Sequence, residues 1–554
     1  MKKKWWKERV FYQIYPRSFQ DSDGDGIGDL RGIISRLDYL SWLGVGAVWL
    51  CPIYDSPNDD NGYDIRNYES ILSDFGSLED FRILLQEMHQ RDIKLVMDLV
   101  VNHTSDEHAW FVESRSSKDN PRRDYYIWND GKDGGAPNNW ASHFCPSAWK
   151  LDQKTGQYYL HLFSEKQPDL NWENDQLREE IYKIINRWFD LGVDGFRMDV
   201  INLIAKKAGF PDGVRPGSSQ ETVLAYEHFA NQPRFFDYMK EMRKKCFLGR
   251  DCLRLGETPF TSVQECGALV DEEKGIFDMV FPFELMEMDD GPAGKYDFGQ
   301  WTTSDFVRIT SEWQKATVNG WASLFWSNHD QARPVSRFGC AESEEFRSRS
   351  AKMLATALYL QRGTPFIFQG EELGMTNVPF PDVSYIRDIE AFNILNVSKK
   401  MGVQDVAWEA VLHKGRDNAR TPMQWNGEKN AGFSKGEPWI MINPNYNEIN
   451  VEAEKKDSNS ILNFYRQLIS LRKGYVALQY GDCEFCDIED DVVCYTRKAD
   501  DQQFIIMCNM IGSVKSVDFI PEGNMILGNC KEEHSESILL PYEARVYYVN
   551  KQAD

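Results

Sequence analysis

Long apolar stretches are missing from this sequence. A membrane-spanning helix needs about 20 consecutive, mainly apolar residues, and no such run occurs among the 554 residues. The first residues, MKKKWWKERVFYQ, carry the positive charges of a signal peptide but not the apolar segment that follows them in one. We therefore expect a cytoplasmic protein that has no contact with a membrane.

Positive charge is scarce as well. Lys and Arg together number 63 against 86 Asp and Glu, which leaves a formal net charge of -23. Nucleic-acid binding requires a basic surface that offsets the charge of the phosphates, so the composition argues against nucleic acid as a partner. Strong like charge is also compatible with a soluble monomer, and a monomer is what we expect.

The nine histidines and eleven cysteines form no recognisable zinc signature. An odd, scattered set of cysteines is typical of reduced thiols in a cytoplasm. Cys483 and Cys486 do form a CxxC pair, within a stretch, QYGDCEFCDIEDDVVCYTR, that is typical of a β-hairpin. No second pair follows at zinc-site spacing, so ordinary strand cysteines are favoured over a metal site, which stays open as the alternative.

Short apolar runs alternate with longer amphipathic stretches through most of the chain. GVGAVWLCPIY precedes SLEDFRILLQEMHQRD, and IKLVMDLVVNH and VDGFRMDV are further strand-like runs. Repeated βα units of this kind indicate an α/β protein with a parallel sheet, and eight strands fit a closed (β/α)8 TIM barrel. Residues 104–171 are predicted to form a small domain inserted after the third strand, because so long a connection needs structure of its own. Alternating strands over 479–554 predict a C-terminal antiparallel β-sandwich domain, which leaves 1–103 and 172–478 to the barrel.

Polar side chains recur where the predicted barrel strands end, and active sites of such barrels lie at these carboxyl ends. Acids that recur there beside Arg, His or Asn are not explained by helix capping alone. Three converging carboxylates can supply the nucleophile, the acid/base and the charge stabiliser that cleave a glycosidic bond. Burial and mutual repulsion should raise the pKa of one of them. The residues are Asp98, Asn102, His103, Arg197, Asp199, Glu257, His329 and Asp330.

A second acidic feature, QDSDGDGIGDL, lies near the amino terminus. Its alternating carboxylates and a backbone carbonyl place hard oxygen ligands around a tight turn, as Ca²⁺ prefers. The loop is not an EF-hand, because Gly32 stands where the bidentate Glu belongs and a strand-like run precedes it. A structural metal is favoured over a solvated acidic turn, and its candidate ligands are Asp21, Asp23, Asp25, Ile27 and Asp29.

Four short motifs follow one another in the order and spacing of a known family. They are DLVVNH at 98–103, GFRMD at 195–199, GE at 256–257 and NHD at 328–330. On these motifs the chain resembles the α-amylase family of glycoside hydrolases. QPDLN at 167–171 resembles the marker of its oligo-1,6-glucosidase subfamily, and PNDDNGYDI, KDNPRRDYYIW and KGRDNARTPMQW extend the likeness over nearly the whole chain.

The resemblance assigns a role to each of three carboxylates. It implies that Asp199 is the nucleophile, that Glu257 is the general acid and then the base, and that Asp330 stabilises the oxocarbenium-like transition state. It also implies that Arg197 orients Asp199 and keeps it ionised, since a neighbouring cation lowers a carboxylate pKa. The expected reaction is retaining hydrolysis through a covalent glucosyl–Asp intermediate, without a cofactor in catalysis. The acidic loop would then hold a structural Ca²⁺, remote from the sugar.

The resemblance further implies a pocket for one terminal glucose of a small oligosaccharide. Histidines would bind its hydroxyls, aromatic rings would face and enclose it, and an Asp–Arg pair would grip the outermost hydroxyl, so that the enzyme acts at chain ends. Asp64 is expected to position Arg416 or a neighbour rather than to react. The expected substrate-binding residues are Asp60, Tyr63, His103, Phe144, Phe163, Gln167, Arg197, Val200, His329 and Arg416.

The preferred bond is expected to depend on Val200, directly after the expected nucleophile. In the resembled family a Val here goes with α-1,6 bonds and Thr or Ala with α-1,4 bonds, so exo-acting hydrolysis of isomaltose and short isomalto-oligosaccharides is expected. Departures from the family pattern at Cys145, Phe260, Pro282 and Ala332 keep other leaving sugars open. The alternatives are an α-glucosidase for sucrose, isomaltulose or maltose, and a trehalose 6-phosphate hydrolase.

Overall fold

A sheet of eight parallel strands lies at the centre of the computed structural model, which describes residues 3–144, 146–214, 222–292, 294–488, 490–519, 521–532 and 534–550. The strands are β1 (Phe11–Ile14), β2 (Ala47–Leu50), β3 (Lys94–Val100), β4 (Gly195–Asp199), β5 (Leu253–Gly256), β6 (Met279–Val280), β7 (Ser323–Leu324) and β8 (Thr364–Phe368). They are ordered β6-β5-β4-β3-β2-β1-β8-β7. At the seam between β6 and β7 the Ser323 hydroxyl donates to the Val280 carbonyl oxygen across 2.8 Å, so the sheet is a nearly closed barrel. The predicted barrel is confirmed.

Helices follow the strands and cover the barrel. The helix Leu78–Gln90 shows why they form: Ser77 and Asp80 make a capping box at its start, and apolar side chains three and four residues apart bury one face. No helix among the described residues has both the length and the apolarity needed to cross a bilayer. The helices after β1 to β8 are, in turn, Leu37–Leu43, Leu78–Gln90, Asp175–Leu191, Pro233–Met242, Val263–Leu269, Thr303–Ala316, Glu344–Tyr359 and Ile461–Gly474.

Further short helices and hairpins lie between or next to the barrel elements along the chain. After β8 the helices Ile389–Met401 and Gln404–Lys414 pack on a separate apolar core, and this segment leads to Arg416 and Arg420. Two small hairpins pair Tyr54–Asp55 with Asn67–Ile71 and Asp290–Gly291 with Gly294–Phe298. The remaining α-helices are Trp5–Glu8, Leu30–Ser35, Ala109–Ser114, Phe283–Met286, Pro334–Arg337, Asp417–Arg420, Val451–Lys456 and Val476–Tyr480.

The insertion after β3 contains its own antiparallel sheet, whose strands are Trp128–Asn129, Gln157–Leu160 and Trp149–Asp152. Its apolar core also includes Leu203 and Val223, which follow β4 in the sequence. Val223 pairs with Trp140 in a parallel bridge. The segment after β4 therefore packs with the insertion, beyond the boundary of 104–171 drawn from the sequence. Cys145 lies outside the described residues.

The carboxyl-terminal part forms the expected antiparallel β unit. One face of a five-stranded sheet contacts the barrel, where the Tyr495 hydroxyl donates to the Thr356 carbonyl oxygen across 3.0 Å. The opposite face packs against Leu539 of a two-stranded ribbon and against Val517, directly after the ribbon's first strand. The sheet consists of Asp482–Phe485, Val492–Ala499, Gln502–Asn509, Ala544–Asn550 and Asn524–Gly528, and the ribbon of Lys515–Ser516 and Ile538–Leu539.

Candidate active site

One buried arginine binds three carboxylates at the carboxyl ends of β3, β4 and β5. Arg197 donates from Nη1 to Asp98 and to Asp199, each across 2.6 Å. Its Nη2 forms an ion pair with Glu257, the first residue after β5. Strand register explains the convergence, because Asp98 in β3 lies opposite Arg197 in β4 and the strands run parallel. The three acids belong to one cluster, which we call the Arg197 cluster.

The Arg197 cluster is buried and contains three acidic side chains but one basic side chain. Burial raises the pKa of Asp98 to about 6. Burial also raises the pKa of Asp199 well above its ordinary range, with Glu257 and Asp98 adding repulsion and Arg197 opposing the shift. Burial and the two neighbouring acids thus favour the protonated form of Asp199, while Arg197 favours its carboxylate, which is the form that a nucleophile needs. The raised pKa values of Asp98 and Asp199 favour uptake of a proton by the cluster, as a site for acid catalysis requires.

The turn after β4 connects the carboxyl ends of β4 and β5 through hydrogen bonds. The Val200 N–H donates to Glu257 Oε2 across 3.0 Å, and the Ile201 N–H donates to the Glu257 carbonyl oxygen across 3.1 Å. Val200 has φ 34° and ψ 39°, in the left-handed region that β-branched residues avoid. Such a conformation costs about 1–3 kcal/mol. The two hydrogen bonds offset this cost and hold Glu257 beside Val200, the residue that follows Asp199.

Asp330 is surrounded by cations from the segment after β8. Arg420 Nη2 donates to Asp330 Oδ1 across 2.7 Å, and Arg416 Nη1 donates to the same oxygen across 3.3 Å. His329 Nε2 lies 3.3 Å from Asp330 Oδ2. Burial by itself would raise the pKa of Asp330, but His329 and the two arginines hold it below its ordinary range. Asp330 therefore stays charged at neutral pH.

Arg416 also contacts the residues expected to close the pocket. Its Nη2 donates to Asp60 Oδ1 across 3.2 Å, and the other oxygen of Asp60 accepts from Gln167 Nε2 across 3.1 Å. The guanidinium lies over the ring of Phe144, 5.1 Å from the ring centroid. Asp388 accepts from Arg416 Nε across 3.0 Å and fixes its position. The structure thus brings the predicted Asp–Arg pair and one predicted aromatic together.

Asp64 lies behind the Asp–Arg pair. Its carboxylate accepts the backbone N–H groups of Asp60 across 3.0 Å and of Asp59 across 2.8 Å. It also accepts from the Ser56 hydroxyl across 3.0 Å. Asp64 therefore positions a neighbour of Arg416 through the backbone, which is one of the two expected roles.

Aromatic rings and two neutral histidines pack together next to the carboxylates. The Tyr63 ring stacks on His329 with centroids 5.0 Å apart, and its hydroxyl donates to Asp98 Oδ2 across 3.1 Å. His103 Nε2 lies 3.1 Å from the Tyr63 carbonyl oxygen, and its ring packs against Phe163 with centroids 5.1 Å apart. Burial lowers the pKa of His103 to about 4 and that of His329 to about 3. Both rings are therefore neutral at pH 7, and each can donate one hydrogen bond and accept another.

Three residues that hold the site were missed in the sequence. Lys206 Nζ lies 2.6 Å from Asp169 Oδ2 and 2.9 Å from Asn102 Oδ1. Asn102 directly precedes His103 in the chain. Arg420 could have been found, because it lies four positions after Arg416 in a stretch already linked to the family. The other two gave no such signal, since their partners are distant in sequence. The missed residues are Arg420, Asp388 and Lys206.

The amino-terminal loop brings three of its four acids together. One carboxylate oxygen each of Asp21, Asp23 and Asp29 lies within 4.8 Å of the others, a spacing that a bound hard cation can bridge. Asp25 is not in this group, and its carboxylate accepts the Ile27 N–H across 2.7 Å. The donor set of three carboxylates fits Ca²⁺ better than a softer metal.

Comparisons with known proteins decide the family. The model of the family described as "Alpha amylase, catalytic domain" matches residues 13–481. The chain belongs to the α-amylase family of glycoside hydrolases. A curated oligo-1,6-glucosidase of Halalkalibacterium halodurans is 51% identical to this glycoside hydrolase over 560 residues, which cover 99% of each protein.

Solved structures agree with the fold of this glycoside hydrolase. The crystal structure of the isomaltulose synthase from Protaminobacter rubrum has a TM-score of 0.94 and 40% identity, with 100% of both chains covered. A mutant trehalose-6-phosphate hydrolase of Bacillus licheniformis has a TM-score of 0.92 and 41% identity, with 99% of this chain and 100% of that chain covered. The resemblance drawn from the four motifs is confirmed.

Proposed function

We propose that the protein is a retaining, exo-acting α-glucosidase that hydrolyses α-1,6 bonds at the non-reducing ends of isomaltose and short isomalto-oligosaccharides. The observation that carries this proposal is the Arg197 cluster, in which Asp199 and Glu257 bind two nitrogens of one guanidinium. Retaining glycosidases hold their two carboxyl groups about 5 Å apart, and inverting enzymes leave a wider gap for water. A shared guanidinium supports the shorter separation.

The proposed reaction proceeds by two displacements. Asp199 attacks the anomeric carbon while Glu257 gives its proton to the glycosidic oxygen, so that the second sugar leaves and a glucosyl ester forms on Asp199. Glu257 then takes a proton from a water molecule, whose oxygen attacks the same carbon and releases α-glucose. Asp330, which its cations keep ionised, stabilises the positive charge that develops on the sugar ring in both steps.

Exo action follows from the contact between Asp60 and Arg416. The two side chains, with Phe144 beneath the guanidinium, meet at a distance of 3.2 Å between Nη2 and Oδ1. A glucose that donates and accepts hydrogen bonds at this buried pair has no room for a further sugar on its outer hydroxyl. The enzyme therefore removes one glucose from a chain end.

Val200 supports the preference for α-1,6 bonds. Its N–H binds Glu257, and its side chain packs against the core of the insertion, so a branched side chain is fixed beside both reacting groups. A branched apolar side chain there obstructs the path of an α-1,4-linked second sugar and leaves the more flexible α-1,6 link free. The name of the Halalkalibacterium halodurans relative points the same way.

The second candidate function is action on sucrose, isomaltulose or trehalose 6-phosphate. The similar solved structures support it in part, since one is an isomaltulose synthase and the other a trehalose-6-phosphate hydrolase. Hydrolysis of maltose is a third possibility within the same mechanism. A phosphorylated leaving sugar needs a cation that is free to bind it. Lys295, whose Nζ lies 3.5 Å from the Asp330 carbonyl oxygen, is instead paired with Glu390 across 2.8 Å. This pairing favours an uncharged leaving sugar.

The acidic loop holds a structural Ca²⁺ in this proposal, with Asp21, Asp23 and Asp29 as its carboxylate ligands. When bound, the ion would neutralise acids that otherwise repel one another and fasten the loop after β1. None of the steps above uses it.

Initial rates on isomaltose, maltose, sucrose, isomaltulose and trehalose 6-phosphate, with products identified, test the proposal. Proton NMR should detect α-glucose as the first product, and isomaltose should lead maltose clearly. The inactive control is Asp199→Ala. β-Glucose as the first product would overturn retention. A lead of sucrose or trehalose 6-phosphate would overturn the assigned bond while leaving the carboxylate roles intact, and no turnover of any α-glucoside would overturn the function.

A further inference from the structure

The two faces of the carboxyl-terminal sheet separate its cysteines. Cys483 and Cys508 pack on the barrel side, within the main core. Cys486 and Cys494 pack on the opposite side, with residues that contact the ribbon. Successive side chains of a strand point to opposite faces, so the two members of the CxxC sequence are directed away from each other. The natural partner of Cys486 is therefore not Cys483.

Cys486 and Cys494 lie opposite each other at the end of a hairpin. The last register pair of strands Asp482–Phe485 and Val492–Ala499 is Phe485 with Tyr495. Cys486 and Cys494 are the next residues outward from this pair. The Cys486 N–H donates to the Cys494 carbonyl oxygen across 2.9 Å. Opposed residues of antiparallel strands have Cα atoms about 4.5–5.5 Å apart, inside the range of about 4.4–6.8 Å that a disulfide spans.

We propose that Cys486 and Cys494 form a reversible, peroxide-sensitive disulfide. Both are free thiols in the structure; Cys486 is half-buried, and Cys494 is 1% exposed. A hydrogen bond from the Cys494 thiol lowers the pKa of Cys486 to about 7. Donation of that hydrogen bond and burial raise the pKa of Cys494. The accessible sulfur is thus the one that ionises near neutral pH, which is the condition for reaction with an oxidant.

The reaction balances with hydrogen peroxide as the oxidant. The Cys486 thiolate attacks one peroxide oxygen, the O–O bond breaks, and hydroxide leaves and takes up a proton, so that a sulfenic acid forms on Cys486. Cys494 Sγ then attacks the Cys486 sulfur, the S–O bond breaks, and the departing hydroxide leaves as water with the Cys494 thiol proton. Two electrons pass from the two sulfurs to the peroxide, and a dithiol reverses the bond by exchange.

The bond would fasten an edge of the molecule. The strand Asp482–Phe485 is the outermost strand of its sheet, and its neighbour Val492–Ala499 carries Tyr495, which binds the barrel at Thr356. Edge strands open more readily than central ones because they pair on one side only. Cross-linking Cys486 to Cys494 ties the edge strand to the strand that is anchored on the barrel.

The experiment uses the reduced full-length protein at pH 7. It is treated with hydrogen peroxide, its remaining thiols are blocked with N-ethylmaleimide, and intact mass and non-reducing peptide mapping follow. We expect a loss of two alkylatable thiols, a cross-linked peptide pair containing Cys486 and Cys494, and recovery of both thiols with dithiothreitol. Cys483→Ser is the matched control and should leave the link unchanged. In Cys494→Ser, Cys486 should stop at a sulfenic acid that dimedone traps.

Each contrary result overturns the proposal. A link between Cys483 and Cys486 would mean that the CxxC spacing, and not the opposed faces of the sheet, selects the partner. Persistence of the Cys486 link in Cys494→Ser would exclude Cys494 as the resolving thiol. Full alkylation of both cysteines after peroxide treatment of the unaltered protein would show that no disulfide forms, independently of how the variants fold.

Discussion

Replacement of Arg420 by methionine is the sharpest test of how the site keeps Asp330 charged. Arg420 is 1% exposed and donates to Asp330 Oδ1 across 2.7 Å and to the His329 carbonyl oxygen across 3.0 Å. Methionine keeps much of the side-chain volume but removes the cation and its hydrogen bonds. A hydrogen bond to a charged group contributes about 1.5–3 kcal/mol, which corresponds to roughly a 10- to 150-fold fall in kcat/KM if Asp330 stabilises the transition state.

The pH dependence of kcat/KM separates this role from simple loss of structure. The folded-state pKa of Asp330 is held low, so the ionised form persists as the pH falls. Removing one of its cations lets that pKa rise, so activity of Arg420→Met should be lost at a higher pH on the acid side than in the parent enzyme. Arg420→Lys, which keeps the charge, should restore part of the acid-side activity.

Arg333→Met is the matched control. Arg333 is also buried, but it donates to the backbone carbonyl oxygens of Asn418 and Ala419, across 3.1 Å and 3.0 Å, and not to Asp330. This variant should lose thermal stability without shifting the acid limb, which is the low-pH side of the kcat/KM profile. If Arg420→Met leaves the acid limb in place and loses activity only in proportion to its unfolded fraction, the electrostatic reasoning is refuted.

Three further results are expected. Asp199→Ala should abolish turnover while circular dichroism and the melting temperature stay near those of the parent; a molten variant would mark Asp199 as structural. Lys206→Met should destabilise the protein by about 3–5 kcal/mol, because Asp169 is left as an unpaired buried charge, and Lys206→Met combined with Asp169→Asn should recover part of that loss in denaturant melts; no recovery would remove the pair as the cause. Chelation of Ca²⁺ should lower the melting temperature with little change in kcat at low temperature, and Asp21→Asn should abolish the response; an unchanged melting temperature would argue against the ion.

The order of elements was readable because each depends on local pattern. Buried apolar runs marked the barrel strands, and the capping box at Ser77 marked the start of a helix. The meeting of Asp199 with Glu257 was predictable because parallel strands of a barrel end on the same face. The packing of Val223 with the insertion was not readable, since no local signal links it to Trp140.

The sequence by itself determined the fold class, the carboxylates at the strand ends and the family, because these depend on short motifs in a fixed order. Only the tertiary structure decided which charged groups lie next to those carboxylates. Arg420 reaches Asp330 from 90 positions along the chain, and burial raises the pKa of Asp199 against the pull of Arg197. The physical reason is that a pKa depends on the distances and the exclusion of water around a group, and both are set by contacts between segments that are remote in sequence.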